Sequence, residues 1–143
     1  MGYGSWSASS WDSYSTTHVK NKTSVSGGGA SSLYSSTAMP DDMNPKNITV
    51  REARDSADNP NSTPIIIALD VTGSMSPVLR SVVTNLNTLM QEIYNRGSIT
   101  DPQVCFMAIG DADYDRAPLQ VSQFESDIRI AKALQKVWFE QGG

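Results

Sequence analysis

An α/β fold built on a parallel sheet is predicted by three features of the sequence. Two short apolar runs, Ile65 to Leu69 and Val104 to Ile109, are rich in β-branched or bulky residues and read as strands covered on both faces. Between them, apolar residues recur at Leu79, Val82, Val83, Leu86, Leu89, Met90 and Ile93, a stripe of helical period about five turns long. Two parallel strands need a crossover connection of that kind. The first run also ends in Asp70-Val71-Thr72-Gly73-Ser74-Met75, a carboxylate and two hydroxyls at alternate positions around a glycine. A strand there delivers oxygen ligands to the edge of a sheet.

Taken in order, residues 1–38 are dominated by Ser, Gly, Thr and Tyr, with Trp6, Trp11, Tyr14 and Tyr34 among them and Gly27-Gly28-Gly29 as a break. So little Leu, Ile and Val does not offset the ordering entropy, and the segment is expected to be a flexible, solvated arm, with docking of its aromatics on a partner as the alternative. Residues 39–63 form a polar lead-in, with Pro40, Pro45 and Pro60 and a short edge strand where Ile48 and Val50 alternate with polar neighbours. Asn59-Pro60-Asn61 turns the chain into the first main strand. Residues 64–143 carry the domain. Pro77 in the first turn and Gly97 at the end bound the crossover helix. After the second strand, Ala117 to Val121 is expected to fold back as a hairpin. Ser122-Gln123-Phe124-Glu125 has capping-box spacing for a last helix with Phe124, Ile128, Ala131, Leu134, Val137 and Trp138 on one face.

Composition narrows the function. The chain has 143 residues, 38% of them hydrophobic, and a formal charge of −4, so no basic block is present to neutralise phosphates or an anionic membrane. Neither nucleic acid nor membrane is an expected partner. No apolar run approaches the ~20 residues of a membrane span. Cys105 is the one cysteine, in an apolar run, and reads as a small core residue. A cytoplasmic protein, or a component of a viral particle, is the expectation.

The loop after the first strand carries the chemistry. Residues two apart in such a loop turn toward a common point, so Asp70, Thr72 and Ser74 present one carboxylate and two hydroxyls to one hard cation. Oxygen ligands with one formal charge suit Mg²⁺, with Mn²⁺ or Ca²⁺ as alternatives, and leave positions open to water or to a partner's carboxylate. Asp111 follows the neighbouring strand onto the same edge and is a further candidate ligand, though an Asp in a turn also caps the backbone. Ser74 ahead of Pro77 has a helix cap as its plainer role.

Asp70-Val71-Thr72-Gly73-Ser74-Met75 resembles the D-x-S-x-S motif of the metal-ion-dependent adhesion site (MIDAS) in von Willebrand factor type A (VWA) domains, with Thr72 where Ser is commoner. The order of strand, long helix, strand, back-folding strand and helix is similar to the first half of that fold, over about residues 62 to 143. The resemblance implies a Rossmann-like, doubly wound sheet with its site at the carboxyl ends of the strands, represented here by two to three strands and two helices. It implies that Asp70, Thr72 and Ser74 ligate the metal directly or through water. The family completes its site with a Thr from a later loop and an Asp from a later strand, and the sequence stops at Gly142-Gly143, before them. A truncated site of this kind is expected to bind Mg²⁺ weakly.

Other motifs fit less well. A phosphate-binding loop needs Gly-Lys-Ser/Thr after the strand, and no Lys lies between Lys46 and Lys132. An EF-hand starting at Asp111 has Arg116 where Gly is required and Ser122 where the bidentate Glu belongs. A Ser-His-Asp hydrolase has only His18 to draw on, in the arm. No enzymatic activity is therefore expected. The function expected is a metal-ion-dependent protein–protein interaction module that binds an acidic group of a partner. The alternatives are an assembly protein of a bacterial or viral particle that joins through the arm, and an adaptor of an ATPase-driven remodelling system.

Overall fold

Three strands make one mixed sheet in the order β1-β2-β3 in the computed structural model, which describes residues 2–20, 33–34 and 36–140. β1 (Thr63–Asp70) and β2 (Pro102–Ile109) run parallel, Ile66 opposite Cys105 and Asp70 opposite Ile109. β3 (Leu119–Val121) returns antiparallel to β2, as the hairpin expectation requires. The turn at Pro60 and Asn61 also forms. β2 is the central strand and is buried on both faces. β1 is not: Pro64, Ile66 and Ala68 are exposed while Ile65, Ile67 and Leu69 face the core. Two-faced burial of β1 is thus corrected. Its continuous apolar run covers one helix-facing side and one open side at the margin of the sheet.

The crossover is two helices rather than one. α2 (Ser76–Thr84) begins with Pro77 in its first turn, and α3 (Leu86–Arg96) ends at Gly97 in the left-handed conformation, φ 65°. α1 is the N-terminal helix described below. Asn85 separates α2 from α3 with φ −105° and ψ 9°, its side-chain Nδ2 donating to the Ser81 carbonyl at 2.9 Å. The stripe runs on across the break: Leu79, Val83, Leu86 and Met90 are all buried against Ile65, Ile67, Val104 and Phe106.

The largest departure lies in the N-terminal segment. α1 (Ala8–Ser15) is capped by Ser7, whose side chain accepts from the Ser10 amide, and continues as a turn of π-helix over Thr16–Lys20. Trp6, Trp11, Val19, Leu33 and Tyr34 are buried in the same cluster as the sheet and the crossover helices. The flexible-arm expectation is corrected for the described part of residues 1–38; Gly27-Gly28-Gly29 lies outside the described residues. The aromatics supply the apolar area that the aliphatic content lacks. Polar groups then fix the register of the docking: the Trp6 indole N–H donates to Asn87 at 2.9 Å, the Tyr34 hydroxyl to the Leu79 carbonyl at 3.0 Å, and the Tyr14 hydroxyl to Gln135. Gly2 has φ +75°, and a Cβ there would lie 2.5 Å from the Arg54 carbonyl oxygen, so only glycine fits this approach.

The lead-in forms no strand at Ile48 and Val50. It makes two short 3₁₀ turns, Asp41–Met43 and Pro45–Asn47, then crosses the second face of the sheet, where Ile48 and Ala53 pack on Cys105, Val121 and Phe124. Nor does Ser122 open a capping box. Its hydroxyl accepts from the Phe106 amide at 2.8 Å, and Glu125 bridges to Val104, so α4 (Arg129–Gln135) starts later, with Asp127 accepting from the Arg129 amide at 3.0 Å. Trp138, expected on the helix, lies beyond its end and is half-buried.

Three buried glutamines tie these irregular segments down. Gln103 accepts from the Arg54 amide at 3.1 Å and donates to the Arg54 carbonyl at 2.7 Å. Gln120 accepts from the Trp138 amide at 2.8 Å and donates to its carbonyl at 2.9 Å. Gln135 donates to the carbonyls of Leu33, at 2.8 Å, and His18, at 3.1 Å. Gln103 and Gln120 do what a neighbouring strand's peptide would do, and Gln135 satisfies two carbonyls, in the interior where an unpaired backbone group is costly.

Candidate metal centre

β1 carries Asp70 to the carboxyl end of the parallel pair, and the Val71 amide donates to the Ile109 carbonyl at 3.0 Å, so the two chains leave the sheet side by side. Val71, 5% exposed, anchors the loop in the core directly after the ligand. Asp70, Thr72 and Ser74 follow on the solvent side. Asp70 Oδ1 accepts from the Thr72 amide at 2.9 Å and from Thr72 Oγ1 at 2.7 Å. These two bonds, the hydroxyl first, hold the Asp70 carboxyl below its usual range. It is therefore anionic at neutral pH, in the state a cation needs.

Ser74 sits in the 3₁₀ turn Gly73–Met75, exposed, and α2 begins without a side-chain cap at Met75. The capping role that competed for Ser74 is not taken up. Its hydroxyl lies on the same loop as the Asp70–Thr72 pair. Asp111 is placed just beyond the carboxyl end of β2, on the sheet edge that also carries Asp70. There Asp111 Oδ1 accepts from the Asp113 amide at 2.8 Å, and the Asp111 amide donates to Asp115 Oδ2 at 2.6 Å. Asp111 and Asp115 thus fold their turn upon itself, the local role sequence reading weighed against ligation.

Among the described residues no group of three or more His, Cys, Asp and Glu side chains is arranged to hold a metal. Hydroxyls do not enter such a group, and the donor set here is one carboxylate with two of them. That set fits a hard divalent cation that keeps several of its waters. Sequence reading missed Glu140, whose carboxylate accepts from the amides of Ala117, at 2.7 Å, and Arg116, at 3.1 Å, and so fixes the return of the loop that carries Asp111. No local pattern announces it, because its partners are backbone groups more than twenty residues away in sequence.

No helix among the described residues is long and apolar enough to cross a membrane. Comparison with family models, with curated protein sequences and with solved structures finds no match for this chain.

Proposed function

We propose that this chain is a protein-binding module that works through a divalent cation, Mg²⁺ by donor chemistry, in the manner of a VWA-type domain. Asp70, Thr72 and Ser74 hold the ion, directly or through its waters. The bound ion supplies a Lewis-acidic position for an acidic side chain of a partner protein. The single observation that carries the reading is the Asp70–Thr72 pair, 2.7 Å apart at the carboxyl end of a parallel strand. Two oxygens of opposite character are already oriented there, and ligand sites in open α/β sheets favour this end of the strands. The β1–β2 pair with its helical crossover and the antiparallel β3 supports a Rossmann-like, VWA-type arrangement.

The assembly reading through the arm loses its contacts, since Trp6 and Trp11 are spent on the protein's own core. Calorimetric titration of the full chain with Mg²⁺, Mn²⁺ and Ca²⁺ tests the proposal. Weak binding is expected for the wild type and none for Asp70→Ala. Equal heats from the two proteins refute it.

A further inference from the structure

On the β3 side of the sheet, away from β1, the lead-in and the β2–β3 loop leave a cavity of about 390 Å³ between them. Met39, Pro45, Pro118 and Leu119, each half-buried, make its apolar wall, and Lys46 and Arg116 line it with exposed cationic side chains. That volume lies in the range of small-molecule sites, which combine an apolar lining with a few placed polar groups.

Both cations are presented by backbone that is already tied down. The Lys46 amide donates to Asn44 Oδ1 at 3.0 Å, within the turn Pro45–Asn47. The Arg116 amide donates to Glu140 Oε2 at 3.1 Å, and the Pro118 carbonyl, two residues on, accepts from the Gly110 amide at 2.8 Å. The charged groups themselves are unspent: among the described residues neither the Lys46 ammonium nor the Arg116 guanidinium has an ion pair or a hydrogen-bond acceptor. Asp115, the one carboxylate in the lining, turns Oδ2 into its own loop, where it accepts from the Asp111 amide at 2.6 Å. β3 adds a donor. Pro118 and Ser122 bond to Gly110 and Phe106, so in the alternation of an antiparallel pair the Leu119 N–H is directed away from β2, and among the described residues no acceptor meets it.

We propose that this cavity binds a small amphipathic carboxylate, its anionic end on Arg116 and Lys46 and its apolar body against Met39, Pro45, Pro118 and Leu119. The site does not depend on the metal reading. Charge complementarity selects the ligand: two cations from two separate segments converge on one cavity, and its only carboxylate is engaged elsewhere. A guanidinium fork takes a carboxylate through two parallel bonds, and the lysine adds a point charge. Inorganic phosphate would answer the cations but leave the apolar wall in water. An alcohol of the same length would cover the wall and leave the cations unanswered. Because both walls are held by their own hydrogen bonds, little ordering is needed on binding.

Titration of the full ¹⁵N-labelled chain with hexanoate, at fixed pH and ionic strength and followed by amide shifts, tests this. A ligand of that size should saturate with a Kd on the order of 1 to 10 mM, with the largest shifts at Lys46, Arg116 and Leu119. 1-Hexanol and inorganic phosphate, which each carry one half of the chemistry, should bind at least about fivefold more weakly. Arg116→Gln combined with Lys46→Gln changes two exposed side chains without partners, so the remaining amide spectrum should be unmoved while hexanoate binding weakens at least about fivefold. Hexanoate that gives no saturable shift by about 50 mM overturns the proposal. So does a wild type that binds hexanol or phosphate as well as hexanoate, a readout that stands even if the double variant fails to fold, and so does a folded double variant that binds hexanoate like the wild type.

Discussion

Replacing Trp11 by Ala should cost this protein much of its stability, although Trp11 lies in a stretch whose composition reads as unfolded. Trp11 is 7% exposed and packs 5.7 Å from Trp6 and 6.3 Å from Tyr14, centroid to centroid. Burying an indole of about 200 Å² at ~25 cal/mol per Å² stabilises by about 5 kcal/mol. Residual burial in the unfolded chain and the Cβ that Ala keeps bring the expected loss to about 3–4 kcal/mol. For a chain of this length that corresponds to a fall in Tm of roughly 10 °C or more. Tyr3, eight residues earlier and 62% exposed, is the internal control: Tyr3→Ala should change stability by no more than about 0.5 kcal/mol. Urea denaturation followed by far-ultraviolet circular dichroism measures both. Equal, small effects from the two substitutions would mean that the N-terminal segment is solvated, and the core described above would then be wrong.

Gln120→Leu should destabilise by about 2–3 kcal/mol in the same assay, because it strands the amide and carbonyl of Trp138 in a half-buried setting; a loss under about 0.5 kcal/mol refutes the clamp. Thr72→Val should raise the Asp70 carboxyl pKa, read by carboxyl carbon shifts in an NMR titration, since the hydroxyl bond is the leading cause of its depression. The sign follows from linkage: a carboxyl with a depressed folded pKa stabilises above its unfolded value and loses that contribution as pH falls through the folded one. An unmoved titration would detach Thr72 from Asp70. Cys105, whose thiol burial pushes up in pKa and which donates to the Ser122 carbonyl at 3.2 Å, should react with thiol reagents at the rate of unfolding. Labelling at the rate of a free thiol in native buffer would contradict its burial.

The parallel pair, its crossover, the returning strand and the position of the Asp70 loop are legible in the sequence because period and length carry them. What escapes has physical reasons. An apolar run such as Ile65 to Leu69 looks the same whether one or both faces are covered, and only the partners present decide which. The Thr84-Asn85 pair is a weak helix former and Asn a good terminator, yet the apolar stripe resumes in phase at Leu86 and hides the break. Ser122 and Glu125 have the spacing of a helix start, but a buried amide on β2 competes for the Ser122 hydroxyl and wins. Trp6 and Trp11 vanish in an average over thirty-eight residues, though a few indoles carry the apolar area of many smaller side chains. At the candidate site the ligand types are visible in the string, whereas the Asp70–Thr72 bond and the self-closing turn at Asp111 depend on backbone angles that no spacing rule fixes.

The glutamine clamps have a consequence for which substitutions the protein tolerates. Gln120 fills its place by the polarity of its amide, one end giving and one end taking, so a change that keeps every bond length can still undo it. Gln120→Glu exchanges one NH₂ group for an oxygen, and as a carboxylate it turns that oxygen against the Trp138 carbonyl. Its interior position favours the neutral acid, whose single proton restores the missing donor. The folded pKa then lies above the unfolded one, so the closure of the C-terminal segment is intact in acid and loosens as pH rises through the folded value. One atom would make the fastening of this chain responsive to protons, at a position where shape alone calls the exchange silent.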